Sequence, residues 1–196
     1  MNTILKLEPI IHLSPEQFTS ICHANPEAKL ELTARGELVI MSPTGGETGN
    51  RNIKLSARLE NWTEKDGTGL AFDSSTMFRL PNKAFRSPDG AWIQLSRWNT
   101  LTDEEKRTFP PISPDFVIEL RSPSDSPKEL REKMQEYIDN GVQLGWLIDP
   151  ITQQVEIYRS NYAHETLSNP RQIEGEDVLP GFILSLDSIL LNDINN

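Results

Sequence analysis

Residues 114–125 read PDFVIELRSPSD, and the fold turns on where this stretch lies. Phe116, Val117, Ile118 and Leu120 form an apolar run of the length expected for a strand buried inside a sheet. Glu119 stands within that run, and Arg121 follows two residues on. A buried carboxylate is costly unless a cation or hydrogen-bond donors meet it, so Glu119 marks a place that requires a partner. Alternate residues of a strand share a face. Asp115, Val117, Glu119 and Arg121 are therefore expected on one side, and Phe116, Ile118 and Leu120 on the other.

Just downstream, SPKELREKMQEYIDNG (126–141) carries full helix signals. Ser126 is the N-cap, Pro127 takes the first turn, Glu129 completes a capping box and Gly141 is the stop. The stripe Leu130, Met134, Tyr137 and Ile138 predicts the face that packs on the sheet. Lys133 borders this stripe at i+3 and i−4, where its stem can cross apolar surface and deliver an ammonium to the sheet's edge. LGWLIDP (144–150) and VEIYR (155–159) predict a strand pair turning at Asp149-Pro150, and EGEDVLPGFILSLDSIL (174–190) a closing strand with a short helical end.

Upstream, SPEQFTSICHAN (14–25) opens with a capping-box pattern, Ser14 and Gln17, and predicts a short helix to about His23. KLELTARGELVIMSP (29–43) alternates around Arg35-Gly36 and predicts a β-hairpin. In residues 44–69 a flexible glycine-rich loop is expected to lead into a helix with Leu55, Leu59 and Trp62 on one stripe and Gly67 at its end. LAFDSSTMFRL (70–80) and SPDGAWIQL (87–95) predict two further strands, and WNTLTDEEKRTFPP (98–111) a surface excursion. With no repeat, low-complexity tract or linker, one α/β domain over residues 1–196 is expected.

Composition narrows the classes. The chain has 196 residues, 36% hydrophobic and 24% charged, as in ordinary globular proteins. No run of eighteen apolar residues is present, so no membrane span is expected. The first residues lack a signal-peptide pattern, and the single Cys22 excludes an internal disulfide or a cysteine-rich zinc site. A cytoplasmic protein is the expectation. A net charge of −10 counts against broad, sequence-independent nucleic-acid binding, but leaves room for a nuclease in which a metal and a local basic patch act together.

The chemistry lies in the carboxylates. His12, His23 and His164 are far apart and make no ligand spacing; no phosphate-binding lysine loop, dinucleotide fingerprint or nucleophile elbow occurs. Asp89 heads the strand containing Trp92 and Ile93. Two buried neighbouring strands, each with one acid, can bring Asp89 and Glu119 close enough to share a hard divalent cation.

These residues carry a resemblance. A Pro-Asp strand followed by a strand with a central glutamate resembles the PD-(D/E)XK nuclease superfamily. More closely, GELVIMSPTGGETG, RSPDGAWI, PDFVIELRSPSD and KMQEYIDNGVQLGWLIDP, in this order, resemble the Uma-two family of restriction endonucleases, abundant in cyanobacteria. The resemblance implies a restriction-endonuclease-like core, a central mixed β-sheet flanked by helices in the order αβββαβ, here with an N-terminal helix and hairpin. It implies a metal-dependent endonuclease acting on DNA, with a homodimer left open. Asp89 and Glu119, with the carbonyl of Leu120, would hold Mg²⁺ or Mn²⁺. The motif lysine is displaced: Arg121 stands at its usual place, and Lys133 on the following helix matches it. Lys133 would position water or phosphate, and Arg121 would support the developing charge or orient Glu119. Asn52 stands where relatives carry a histidine, and Glu37 is a further acid. Two other readings compete: a nuclease fold that binds nucleic acid or a protein without cutting, and a structural ion network of Asp89, Glu119, Arg121 and Lys133, with Asp115 serving only as a local acceptor.

Overall fold

In the computed structural model, which describes residues 2–190, the chain builds two main sheets. Its first half contains β1 (Thr3–Lys6), α1 (Pro15–Ala24), β2 (Leu30–Leu32), β3 (Glu37–Ile40), α2 (Gly46–Asp66), β4 (Gly69–Asp73), β5 (Phe78–Arg79) and β6 (Phe85–Arg86). Then come β7 (Gly90–Gln94), α3 (Leu95–Trp98), α4 (Asp103–Arg107), β8 (Phe116–Leu120), α5 (Pro127–Asp139), β9 (Leu144–Asp149) and β10 (Gln154–Arg159). The remainder is β11 (Glu165–Ser168), β12 (Gln172–Glu174), β13 (Ile183–Ser185) and α6 (Asp187–Leu190). The larger sheet runs β11-β10-β9-β8-β7-β4, and the smaller β1-β3-β2-β6-β5.

The larger sheet is mixed, as the family resemblance implies. Strand β8 pairs antiparallel with β7 and parallel with β9, and α5 forms the crossover that a parallel pair requires. Both faces of β8 are buried. Phe116, Ile118 and Leu120 pack with Leu55 and Leu59 of α2, Trp146 and Phe182, while Val117 packs with Met134 and Tyr137 of α5. The two helices thus sandwich the strand, and Glu119 shares the α5 side with Val117. A third cluster joins Phe18 of α1 to Leu30, Leu32 and Phe85. Glu31, between those leucines, therefore turns away from α1.

Local signals hold at most junctions. Ser14 and Gln17 form both halves of a capping box, Gly36 takes the left-handed turn of the β2–β3 hairpin, and Gly67 ends α2 at φ 69°. At α5 the Ser126 hydroxyl accepts from the Glu129 N–H, but the predicted reciprocal bond is not among those formed by the described residues.

Two expectations change. The glycine-rich segment is not a long loop, because α2 already begins at Gly46, with Thr48 buried on its inner face. Strands β1, β6, β11 and β12 were not foreseen; they are two to four residues long, too short for a periodic signal, and the single strand expected over 70–80 is split into β4 and β5. No helix among the described residues is long and apolar enough to cross a membrane.

Candidate active site

The β7–β8 register sets the site. Gly90 pairs with Ile118, so Asp89, one residue earlier, is brought opposite Glu119 where both strands end at a cleft. The carboxylate of Asp89 accepts the Leu120 N–H at 2.8 Å on Oδ2 and the Asn52 Nδ2 at 3.1 Å on Oδ1. Asn52 comes from α2, whose inner face changes from Leu59 and Leu55 to Asn52 and Thr48 as it reaches the cleft.

Glu119 is 4% exposed. Its Oε1 accepts the Tyr137 hydroxyl at 2.9 Å and lies 2.8 Å from Lys133 Nζ. Both partners come from α5, which packs on β9 at Gly145, where any side chain would displace Met134. The same ammonium lies 3.0 Å from Oε1 of Glu31, which is 2% exposed. Glu31 also accepts the Ser87 N–H at 2.8 Å and Arg86 Nη1 at 3.0 Å, and Arg86 Nε donates to Glu136 at 2.6 Å. Asp89, Glu119, Glu31 and Glu136 thus face two cations, Lys133 and Arg86, leaving an excess of two negative charges if all are ionised.

The electrostatics follow from this arrangement. Burial pushes the Glu119 carboxyl up to about 7; Asp89 and Glu31 add to the rise and Lys133 opposes it. Burial also raises Asp89, against the Leu120 N–H, the charges of Lys133 and Lys29, and Asn52. For Glu31 burial is outweighed by Lys133, Arg86 and the Ser87 N–H, and its carboxyl falls below the usual range. Lys133 stays charged: burial works against it, and Glu119 and Glu31 more than compensate.

Asp89, Glu119, Leu120, Lys133 and Asn52 line one cleft of about 1370 Å³, and so does Glu37 from β3, next to Thr33 and Arg35. Two predicted residues are elsewhere. Arg121 directly follows β8, its N–H still donating to the Ile148 carbonyl at 2.9 Å, and its guanidinium pairs sideways with the neighbouring Asp149 of β9 at 2.7 Å instead of Glu119. Asp115 precedes β8, four residues from Glu119 and so about 13 Å away along the strand. There it accepts the Gln94 N–H, Arg97 and Gln143 at 2.7–2.8 Å. Glu31, Arg86 and Glu136 were missed. The signal for Glu31 was present: LEL at 30–32 repeats the glutamate-between-aliphatics pattern of IEL at 118–120.

The donor set suits a hard divalent cation. Among the described residues no group of three or more acidic, histidine or cysteine side chains is poised to hold a metal. A cation here would take the Asp89 and Glu119 carboxylates and fill its other positions with water or a carbonyl, as magnesium commonly does. Asn52 Oδ1 is buried without a hydrogen-bond partner beside Asp89. That orphaned acceptor and the excess negative charge both fit such an occupant.

Comparisons with known proteins bear on the family and the fold. A family model described as "Putative restriction endonuclease" matches residues 15–187. Among solved structures the chain is similar to one described as "a putative nuclease belonging to DUF820" from Anabaena variabilis ATCC 29413. The TM-score is 0.77 at 20% identity, over 91% of this chain and 97% of that one; at such identity the likeness concerns the fold. No curated protein matches the chain.

Proposed function

The chain belongs to the Uma2 family, described as "Putative restriction endonuclease", and from that premise we propose that it is a Mg²⁺- or Mn²⁺-dependent endonuclease hydrolysing phosphodiester bonds of DNA. The observation that carries the reading is the unequal treatment of the two acids. Among the described residues, Lys133 contacts Glu119 and Glu31, whereas Asp89 meets only neutral donors, Leu120 N–H and Asn52. A purely structural ion network would bring a cation to both Asp89 and Glu119. Asp89 instead has no cation in direct contact among the described residues, at the lip of a cleft.

A bound divalent cation would supply Lewis acidity and a more acidic water. Asp89 and Glu119, with the Leu120 carbonyl, would hold it; Asn52 and the Leu120 N–H aim Asp89, and Tyr137 fixes Glu119. Lys133 offers its ammonium to a phosphate or to the attacking water.

The rival reading, a module that holds DNA without cutting, meets an obstacle in the cleft, whose lining contains ten acidic and four basic side chains. A polyanion gains little there unless metal ions accompany it. Incubation of supercoiled plasmid and single-stranded DNA with the protein, in Mg²⁺, Mn²⁺ or chelator, tests the proposal. Metal-dependent nicking or degradation is expected; intact DNA under every metal condition would remove the catalytic claim.

A further inference from the structure

Glu31 is a buried carboxylate to which the two-acid metal site assigns no task. Apart from Lys133, its partners lie outside the Asp89–Glu119 pair: the Ser87 N–H at 2.8 Å and Arg86 at 3.0 Å, itself bonded to Glu136. Glu119 is held less firmly, by the Tyr137 hydroxyl and the Lys133 ammonium. That ammonium lies between the two acids, 2.8 Å from Glu119 and 3.0 Å from Glu31. A divalent cation ligated by Glu119 and an ammonium on the same carboxylate repel each other strongly at such range. The two compete for Glu119, and Glu31 is the acid on which the lysine can remain.

We propose that Glu31 is a positioning residue that takes over Lys133 when a divalent cation occupies Glu119. Lys133 stands in for that cation while the site is empty. Afterwards it stays charged and fixed at the cleft wall, because Glu31 keeps it. Without Glu31 the ammonium has only Glu119 to neutralise, and it holds that carboxylate against the metal. This inference rests on the metal reading of the same site.

A double-mutant cycle on Mn²⁺ affinity, measured by calorimetry, decides it. Lys133→Met should bind Mn²⁺ about tenfold tighter than wild type, as expected for removing a like charge a few ångströms away, and Glu31→Gln about tenfold weaker, because the ammonium then stays on Glu119. In the Lys133→Met background, Glu31→Gln should change the affinity less than about threefold, because the lysine it redirects is gone. If Glu31 acted only through its own negative charge, the weakening would be equal in both backgrounds. If it served only to hold Arg86, melting temperature would fall and affinity would not move. Either result overturns the role. Should Glu31→Gln fail to fold, the Lys133→Met arm stands alone, and unchanged or weaker Mn²⁺ binding there overturns the competition. A wild type that binds no Mn²⁺ removes the metal site and this inference together; a wild type that binds with an additive cycle removes only the role of Glu31.

Discussion

The N–H of Leu120 donates to Oδ2 of Asp89 at 2.8 Å, tying the first acid to the residue that follows the second. This bond crosses from β8 to the start of β7 and aims the Asp89 carboxylate at the end of the strand carrying Glu119. Backbone and register thus fix the Asp89 carboxylate, while Tyr137 and Lys133 place that of Glu119.

Metal should stabilise the folded chain. A cation that binds the folded site only adds about 2.7 kcal/mol at a hundredfold excess over Kd, or roughly 5–10 °C in melting temperature for a domain of this size. Glu119→Gln should lose that shift. Its metal-free form should melt near wild type, since Lys133 keeps Glu31 as partner. Differential scanning calorimetry with and without Mn²⁺ checks both statements, and a wild type without a shift would contradict the site.

The pH dependence has a defined sign. The Glu119 carboxyl, at about 7, lies above its ordinary 4.5, so protonation favours the folded, metal-free protein. That contribution is complete below about 4.5 and is lost as pH rises through about 7. Mn²⁺ competes with the same proton, so its affinity should increase between about pH 6 and pH 8. Isothermal titrations across this range test it; an affinity independent of pH would place the metal elsewhere.

Arg121→Ala should leave Mn²⁺ affinity unchanged and destabilise the fold by about 1–3 kcal/mol, because it strips a half-buried Asp149 of its charge-assisted bond. Denaturant melts and metal titrations on one variant suffice. A clear loss of metal affinity would return Arg121 to the site.

DNA affinity should depend only shallowly on salt. The cleft has few cations to release counterions, and its acids outnumber them. Fluorescence anisotropy with an uncleavable oligonucleotide, in Ca²⁺ over a range of KCl, gives the slope. A slope of the size expected for six or more phosphate contacts would reveal a basic surface elsewhere.

What could be read in the sequence was whatever leaves a local mark. The caps at Ser14 and Ser126, the apolar run at 116–120 and the stripe of α5 each state their element within a few residues. Asp89, Glu119 and Lys133 could be paired because each sits at a fixed offset from such an element. Glu31 and Arg86 were hidden because their roles depend on the packing of the smaller sheet beside α5, a contact over a hundred residues apart in the case of Glu31 and Lys133. Arg121 was assigned the wrong partner because strand alternation says nothing of the neighbouring strand, which sets Asp149 beside it.

The central claim is that Asp89 and Glu119 form a metal-dependent catalytic pair. Its most direct test is plasmid cleavage in Mn²⁺ by wild type, Asp89→Asn and Glu119→Gln, each verified as folded by its melting curve. The account predicts cleavage by wild type that chelator abolishes, and a loss of at least about a hundredfold in each variant. Cleavage at the wild-type rate in either variant, or cleavage that persists in chelator, would contradict it.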